Sequence, residues 1–173
     1  MHRPLTLAVT LVLLWAILAE LNHALSGLHF HVFGGALFVA SAALHQPLRP
    51  GLAASLFGGL VCDANTPVAF GTHFVLFAAA HLFLHRVRDR VPRQDPVFAI
   101  VVVLLLNLAL FLAFSLLLLP ASPASFVVWP RLLADLIASQ LVLAFATPWF
   151  FALQDRALAL AEKLANRPTG RPA

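Results

Sequence analysis

Six stretches of apolar residues, separated by short polar segments, run through the sequence. A helix needs about 20 apolar residues to cross a bilayer, and stretches of this kind predict transmembrane helices. The predicted spans cover residues 4–24, 28–44, 50–62, 68–84, 97–119 and 126–151. The sequence therefore predicts an all-α polytopic membrane protein, in which residues 1–165 form a single bundle of six transmembrane helices.

The third predicted span, residues 50–62, is the shortest and contains three glycines. A segment this short can tilt, pack behind its neighbours or span the membrane only in part, and the sequence leaves these alternatives open. After the sixth span, residues 154–165 place apolar side chains on one stripe and predict an amphipathic cytoplasmic extension. This extension would lie at the lipid headgroups or dock a cytoplasmic partner. Residues 166–173 predict a disordered cytoplasmic tail.

Composition and charge agree with a lipid environment. Hydrophobic residues make up 61% of the chain and charged residues 10%, and the mean hydropathy of +0.92 lies outside the range of water-soluble domains. The net charge of +4 does not require a nucleic-acid partner, because the basic residues lie beside apolar segments. With six spans and both termini in the cytoplasm, every Lys and Arg except Arg131 falls on the cytoplasmic side.

Three acidic residues lie within or at the ends of predicted spans, where ionised side chains are costly. They are Glu20, Asp63 and Asp135, and all three map to the outer half of the membrane. Arg131 precedes Asp135 by one helical turn and is expected to pair with it, and His73 lies near the same level. This polar region predicts a water-accessible cavity or a partner-binding surface; alternatively, each group lies separately at the headgroup boundary.

Histidine spacing raises the question of a metal site. His23, His29 and His31 lie in the first outer loop, and His81 and His85 are one helical turn apart. Neither set has a third and fourth ligand at convincing spacing. We therefore expect no bound metal.

Catalytic motifs are absent from the sequence. It contains no Gly-x-Ser-x-Gly elbow, no His-Glu-x-x-His pair and no P-loop. The single cysteine, Cys62, excludes an internal disulfide and a Cys-x-x-Cys metal site. The sequence therefore predicts a protein that is not an enzyme and that needs no cofactor.

Small residues recur one helical turn apart, as in Ala36 with Ala40 and Ala54 with Gly58. Such pairs predict close contacts between helices, because small side chains let backbones approach. The contacts can lie within the bundle or with another protein, and the first is favoured because any six-helix bundle needs them.

The segment Gly58-Gly59-Leu60-Val61-Cys62-Asp63, followed after a short turn by Gly71-Thr72-His73-Phe74, resembles the signature of the rod shape-determining MreD family. In that family an apolar, Gly- and Leu-rich helix end gives an Asp, and a Gly and a His begin the next helix. Asp63, Gly71 and His73 match in identity and spacing. The turn departs from the pattern, because Pro67 comes early.

The resemblance implies a non-enzymatic scaffold in the bacterial inner membrane. Such a subunit would bind the bitopic protein MreC and help to connect the cytoplasmic MreB filament to the peptidoglycan synthases RodA and penicillin-binding protein 2. The candidates for structural or partner-binding roles are Glu20, Gly58, Gly59, Asp63, Gly71, His73, Arg131 and Asp135.

Asp63 also has a role that does not depend on the family. An Asp that ends one helix can accept hydrogen bonds from the unpaired amides that begin the next, where the helix dipole favours negative charge. Gly71 would let the two helices approach closely. This structural role and direct partner contact remain open alternatives.

The alternative function is that of a small-molecule carrier, the substrate-binding subunit of an energy-coupling-factor vitamin transporter, which also has six helices. Those subunits resemble one another in an Ala-x-x-x-Ala pair on the first helix. Here Ala16 is followed at that spacing by Glu20, so the pair is absent and the scaffold is favoured.

Overall fold

The structure is a computed structural model that describes residues 2–28, 30–66, 69–90, 96–118 and 125–165. Within these ranges the chain forms six α-helices, two short 3-10 helices at Ser26–Leu28 and Arg88–Arg90, and no strand. The prediction of an all-α fold is therefore confirmed for the described residues. His29 and the predicted tail at 166–173 lie outside them. The α-helices are α1 (His2–Leu25), α2 (Gly35–His45), α3 (Leu48–Asn65), α4 (Thr72–Val87), α5 (Pro96–Leu118) and α6 (Ser125–Ala165).

The shortest helix, α2, lies at the centre of the bundle. It contacts α3, α4, α5 and α6, and every residue from Ala36 to Leu44 is buried. The α3–α4 pair shares the most extensive contact between helices, and α1 packs against α3 and α6. Because Ala36 and Ala40 are enclosed on all sides, their small-residue seam is internal, as favoured from the sequence.

The second predicted span differs from the observed structure. The prediction began the helix at residue 28, whereas α2 begins at Gly35 and the non-helical residues 30–34 precede it. The glycine pair Gly34–Gly35 is packed directly against the side chains of Leu18 and Phe77, which a Cβ atom at either position would have to displace. With 11 residues, α2 is about 16 Å long, well short of the roughly 30 Å hydrocarbon core of a bilayer.

The last two predicted elements form one helix. α6 runs without interruption through 41 residues, with Pro130 and Pro148 inside it, and is about 60 Å long. The predicted extension at 154–165 is therefore the last part of α6 and not a separate element. Its predicted apolar stripe includes Leu153 and Leu160, which are exposed, whereas Gln154 is buried in the bundle.

Large apolar side chains are exposed on the outside of the bundle, and several polar side chains are buried inside it together with an apolar core. Trp149 is 81% exposed and Phe145 77% exposed, whereas Asn107, Thr147 and Gln154 are buried. Of the described helices, two contain stretches long and apolar enough to cross a membrane, Val97–Leu117 in α5 and Trp129–Lys163 in α6. Shorter apolar stretches occur at Val9–Leu25 and Gly35–His45.

Candidate functional site

The carboxylate of Asp63, near the C-terminal end of α3, binds the beginning of α4. Its Oδ2 atom accepts hydrogen bonds from the backbone N–H groups of Gly71 (3.0 Å) and Phe74 (3.1 Å). Its Oδ1 atom accepts one from the backbone N–H of His73 (2.9 Å) and lies 2.9 Å from Nδ1 of the same residue. Asp63 is only 4% exposed, so these donors replace water. Of the two roles that the sequence left open for Asp63, the structure shows the contact with the amides that begin the next helix.

We call Asp63, Gly71, His73 and Phe74 the Asp63 junction. The first amides of a helix lack partners within the helix, and its dipole favours an anion there. Gly71 has a φ of 96°, a left-handed conformation that glycine adopts at little cost. On the facing helix, a Cβ at Gly59 would lie 2.6 Å from Cα of Phe74. Glycine at position 59 therefore lets α3 approach the backbone of α4.

Aromatic rings surround the imidazole of His73. Its ring centroid lies 4.3 Å from that of Phe114 and 5.9 Å from that of Phe77, and Phe33 lies at 6.3 Å. Because Nδ1 faces the Asp63 carboxylate, we assign the proton of the neutral ring to Nδ1. The other ring nitrogen, Nε2, is then a hydrogen-bond acceptor.

Side chains from α1 and α6 bind the backbone of residues 31–33, the non-helical segment before α2. Without a helix or strand, these peptide groups need other partners. α1 provides one side-chain amide and α6 provides a carboxylate and a hydroxyl, so the segment is fixed between two helices. The bonds are His31 N to Asp135 Oδ1 (2.8 Å), Val32 N to Asn22 Oδ1 (2.7 Å), Asn22 Nδ2 to Val32 O (3.0 Å) and Phe33 N to Ser139 Oγ (3.0 Å).

The predicted ion pair between Arg131 and Asp135 is wrong. Among the described residues, the carboxylate of Asp63 contacts His73 and that of Asp89 contacts Arg88, whereas Arg131 is exposed. The carboxylate of Asp135 instead accepts the amide hydrogen of His31.

Glu20 is exposed on α1 and makes no ion pair with another described residue. The expected single group of polar residues is therefore two separate contacts, one at Asp63 and one at Asp135. Sequence reasoning missed Asn22 and Ser139, whose partners lie in a segment that it had assigned to a helix.

A cavity of about 310 Å³ lies between α1, residues 31–35 and the facing ends of α3 and α4. Its α1 wall consists of Trp15, Leu18, Ala19 and Asn22, which share one helix face because they are three or four residues apart. Cys62, Thr66 and His73 close the opposite side. The Asp63 junction and the non-helical segment thus border one cavity.

A second histidine of α4, His81, lies about two helical turns after His73, towards the other end of the α3–α4 pair. His81 is fully buried, and its Nδ1 is 2.9 Å from Oγ of Ser55 on α3. Its Nε2, Nδ1 of His85 and Oε1 of Gln46 are buried without a hydrogen-bond partner in the described part of the chain. The two imidazoles are stacked, with centroids 6.0 Å apart. We call Ser55, His81, His85 and Gln46 the His81 cluster.

Within the described ranges, no three or more His, Cys, Asp or Glu side chains converge as a metal site would require. The sequence singled out His81 and His85 by their spacing but gave no sign of Ser55 or Gln46. Gly51 allows the cluster to form, because a Cβ there would lie 2.7 Å from Cε1 of His81.

Gly58 is buried between helices. A Cβ at this position would lie 3.4 Å from the ring of Phe38 and 3.5 Å from Leu11, so its surroundings are other parts of the same chain. Of the other candidate residues, four lie at or beside the Asp63 junction, namely Asp63, Gly71, His73 and Gly59, whereas Glu20 and Arg131 are exposed outside it.

No protein-family model, no curated protein and no solved structure matches this chain.

Proposed function

We propose that the chain is a non-enzymatic scaffold subunit of the bacterial cell-elongation machinery, of the MreD type, in the inner membrane. The observation that carries this proposal is the Asp63 junction. The residues that resemble the family signature, Asp63, Gly71 and His73, are also the residues that join α3 to α4. A signature that fixes a helix pair is what a scaffold requires.

We further propose six spans with both termini in the cytoplasm. The apolar exterior, the buried polar side chains and the basic residues beside the apolar segments support this topology. The non-helical residues 31–33 are compatible with membrane depth, because irregular backbone is tolerated there when protein groups satisfy it. α2 would cross together with this segment, enclosed by the other helices.

Reporter fusions test the topology. Fusions after Ala173 and in the loop at 86–93 are expected to report a cytoplasmic location, and fusions near His29, Thr66 and Ser122 an external one. A cytoplasmic signal at Thr66 would exclude the six-span arrangement.

A partner of the MreC type, with a single transmembrane helix, would bind an exposed face of this bundle. The small-residue seam of α2 is enclosed, so the available faces belong to the outer helices. We place the contact on the Arg131 face at the beginning of α6, where Arg131 is exposed and forms no ion pair with a described residue. Arg is one of the residue types enriched at the centres of protein interfaces. Through this partner the subunit would connect MreB to RodA and penicillin-binding protein 2.

Co-purification from cells that express a tagged chain and an MreC-type partner tests this placement. Arg131→Ala is expected to reduce recovery of the partner by about tenfold. Arg49→Ala is the matched control, because Arg49 is also exposed but lies at the opposite end of the bundle. Equal recovery with both variants, at equal expression, would contradict the placement on α6.

One observation favours the alternative function, a vitamin-carrying subunit of an energy-coupling-factor transporter. The cavity of about 310 Å³ is at the lower end of the size range of small-molecule sites. A carrier would co-purify with a pair of ATPases and would bind a vitamin in calorimetric titration. A scaffold would do neither and would co-purify with the single-span partner.

A further inference from the structure

The cavity beside the Asp63 junction has mostly apolar walls. Trp15, Leu18, Val32 and Phe33 contribute rings and aliphatic groups to its lining. A bound water needs two to four polar partners to be stable in such a place. The composition of these walls therefore suits an apolar molecule better than ordered water.

Most polar side chains of the lining already have partners. Both amide atoms of Asn22 bond to the backbone of Val32, and the Thr66 hydroxyl donates to the carbonyl oxygen of Cys62. His31 lies on an exposed edge, where its Nε2 is 3.5 Å from Nδ2 of Asn22. These groups have little hydrogen-bonding capacity left for a ligand.

His73 is the exception. It lines the cavity and is 4% exposed. The Asp63 carboxylate engages Nδ1, so Nε2 is the ring nitrogen left for a ligand. With the proton on Nδ1, Nε2 can only accept a hydrogen bond. The surrounding aromatic rings and the Asp63 carboxylate hold this acceptor in a fixed orientation.

We propose that the cavity binds a small, mainly apolar molecule that donates one hydrogen bond to Nε2 of His73. The volume is roughly twice that of a protein cavity that takes up benzene, which suits a two-ring compound with one hydroxyl or N–H group. Neither the cavity nor Nε2 of His73 is used in the contact placed on α6, so ligand binding and partner binding are tested separately. His73 thus has two roles, one in joining α3 to α4 and one in binding the ligand.

The single cysteine makes the site measurable, because Cys62 lines the cavity. The probe is 2-naphthol, and the signal is the rate at which N-ethylmaleimide alkylates Cys62 in lipid nanodiscs, followed by mass spectrometry. Saturating 2-naphthol is expected to slow alkylation. Naphthalene, which has the same two rings but no donor, should need about fivefold higher concentration for equal protection, because it lacks one hydrogen bond.

Two variants separate the cavity from general effects of the probe on the membrane. Ala19→Trp fills the cavity and should abolish the effect of 2-naphthol, whereas Ala16→Trp on the same helix lies outside the lining and should not. A chain with Cys62→Ser and Ala53→Cys places the thiol on an exposed part of α3. Its alkylation should not respond to the probe.

His73→Asn tests the acceptor. The Asn side-chain amide can still donate to Asp63 from a position similar to Nδ1, but it has no counterpart of Nε2. In this variant 2-naphthol and naphthalene should protect Cys62 equally. The proposal is overturned if 2-naphthol gives no protection in the unmodified chain, if naphthalene protects equally well there, or if the exposed thiol introduced by Ala53→Cys is protected to the same degree.

Discussion

The α3–α4 pair contains two contacts between a histidine of α4 and a polar side chain of α3. They differ in whether all of their polar atoms have hydrogen-bond partners. At the Asp63 junction, both carboxylate oxygens and the first amides of α4 are paired. At the His81 cluster, a histidine of α4 again meets a polar side chain of α3, Ser55, but Nε2 of His81 and Oε1 of Gln46 have no partner in the described residues. The polar atoms of the Asp63 junction are therefore paired, whereas the His81 cluster contains unpaired ones.

This difference predicts opposite responses to substitution. A buried hydrogen bond adds only about 1 kcal/mol net, but removing one partner leaves the other buried and unsatisfied at a larger cost. Loss of a partner at the Asp63 junction therefore strands several groups. Loss of the imidazole at the His81 cluster removes a group that is already unsatisfied. We expect the junction to hold the helix pair together and the cluster to contribute little stability.

The largest expected effect comes from Asp63→Ala, which leaves three backbone amides and the His73 ring without their acceptor. We expect a loss of about 3 kcal/mol or more in the free energy of unfolding. The measurement is equilibrium unfolding in mixed micelles with increasing dodecyl sulfate. A loss below about 1 kcal/mol would break the comparison, because that is the value of a single ordinary hydrogen bond.

Two adjacent glycines test whether the junction depends on close backbone approach. Gly59→Ala places a methyl group against the backbone of α4 near Phe74 and should destabilise the protein by about 2 kcal/mol, as overpacking does. Gly58→Ala meets only the ring of Phe38 and Leu11 at ordinary contact distance. Its effect should be below about 1 kcal/mol. Equal effects in the same unfolding assay would show that the approach of α3 to α4 is looser than described.

Asp135 extends the comparison to a second carboxylate that accepts a backbone amide. Asp135→Ala should cost about 1 kcal/mol, since it removes one acceptor from His31, and Asp135→Asn should cost less because it keeps an oxygen. Amide hydrogen exchange at His31 should accelerate in the first variant. Arg131→Ala serves as the control and should leave both stability and exchange unchanged. If Arg131→Ala changed stability and exchange as much as Asp135→Ala, the result would indicate that Arg131 pairs with Asp135.

The smallest expected effect is that of His81→Leu combined with Ser55→Ala, which replaces both polar partners by apolar groups. The change in unfolding free energy should lie within about 0.5 kcal/mol of zero, because removal of both partners can be neutral. His73→Leu is the matched substitution at the junction and should cost about 2 kcal/mol, since Asp63 stays behind. A large loss in the double variant would show that Nε2 of His81 has a partner.

The sequence predicted those features that depend on neighbouring residues. Asp63 and the start of α4 are separated by a short turn, so the contact between them followed from helix-end chemistry alone. The apolar stretches gave the α-helical class and the approximate positions of the helices. The same information could not show that α6 continues past residue 151, because a continuous helix and a helix with a short break have the same apolar pattern.

Features that depend on distant residues were missed or misassigned. His31 and Asp135 belong to opposite ends of the chain, so Arg131, one turn away, was the nearer partner by sequence. Residues 30–34 are apolar enough to continue a span, and their non-helical backbone is stable only because Asn22, Asp135 and Ser139 satisfy it. The Gly34–Gly35 pair was the one local sign of a helix start there.

The position of α2 has a consequence for biogenesis. This helix is synthesised second, yet the four helices that enclose it, α3 to α6, all follow it in the chain. At about 16 Å it is too short to be stable in a bilayer as an independent segment. Its final environment is complete only when the ribosome has produced α6. In the proposed membrane arrangement, insertion would therefore be completed only late in translation, and a truncation before α6 would leave α2 without the helices that enclose it.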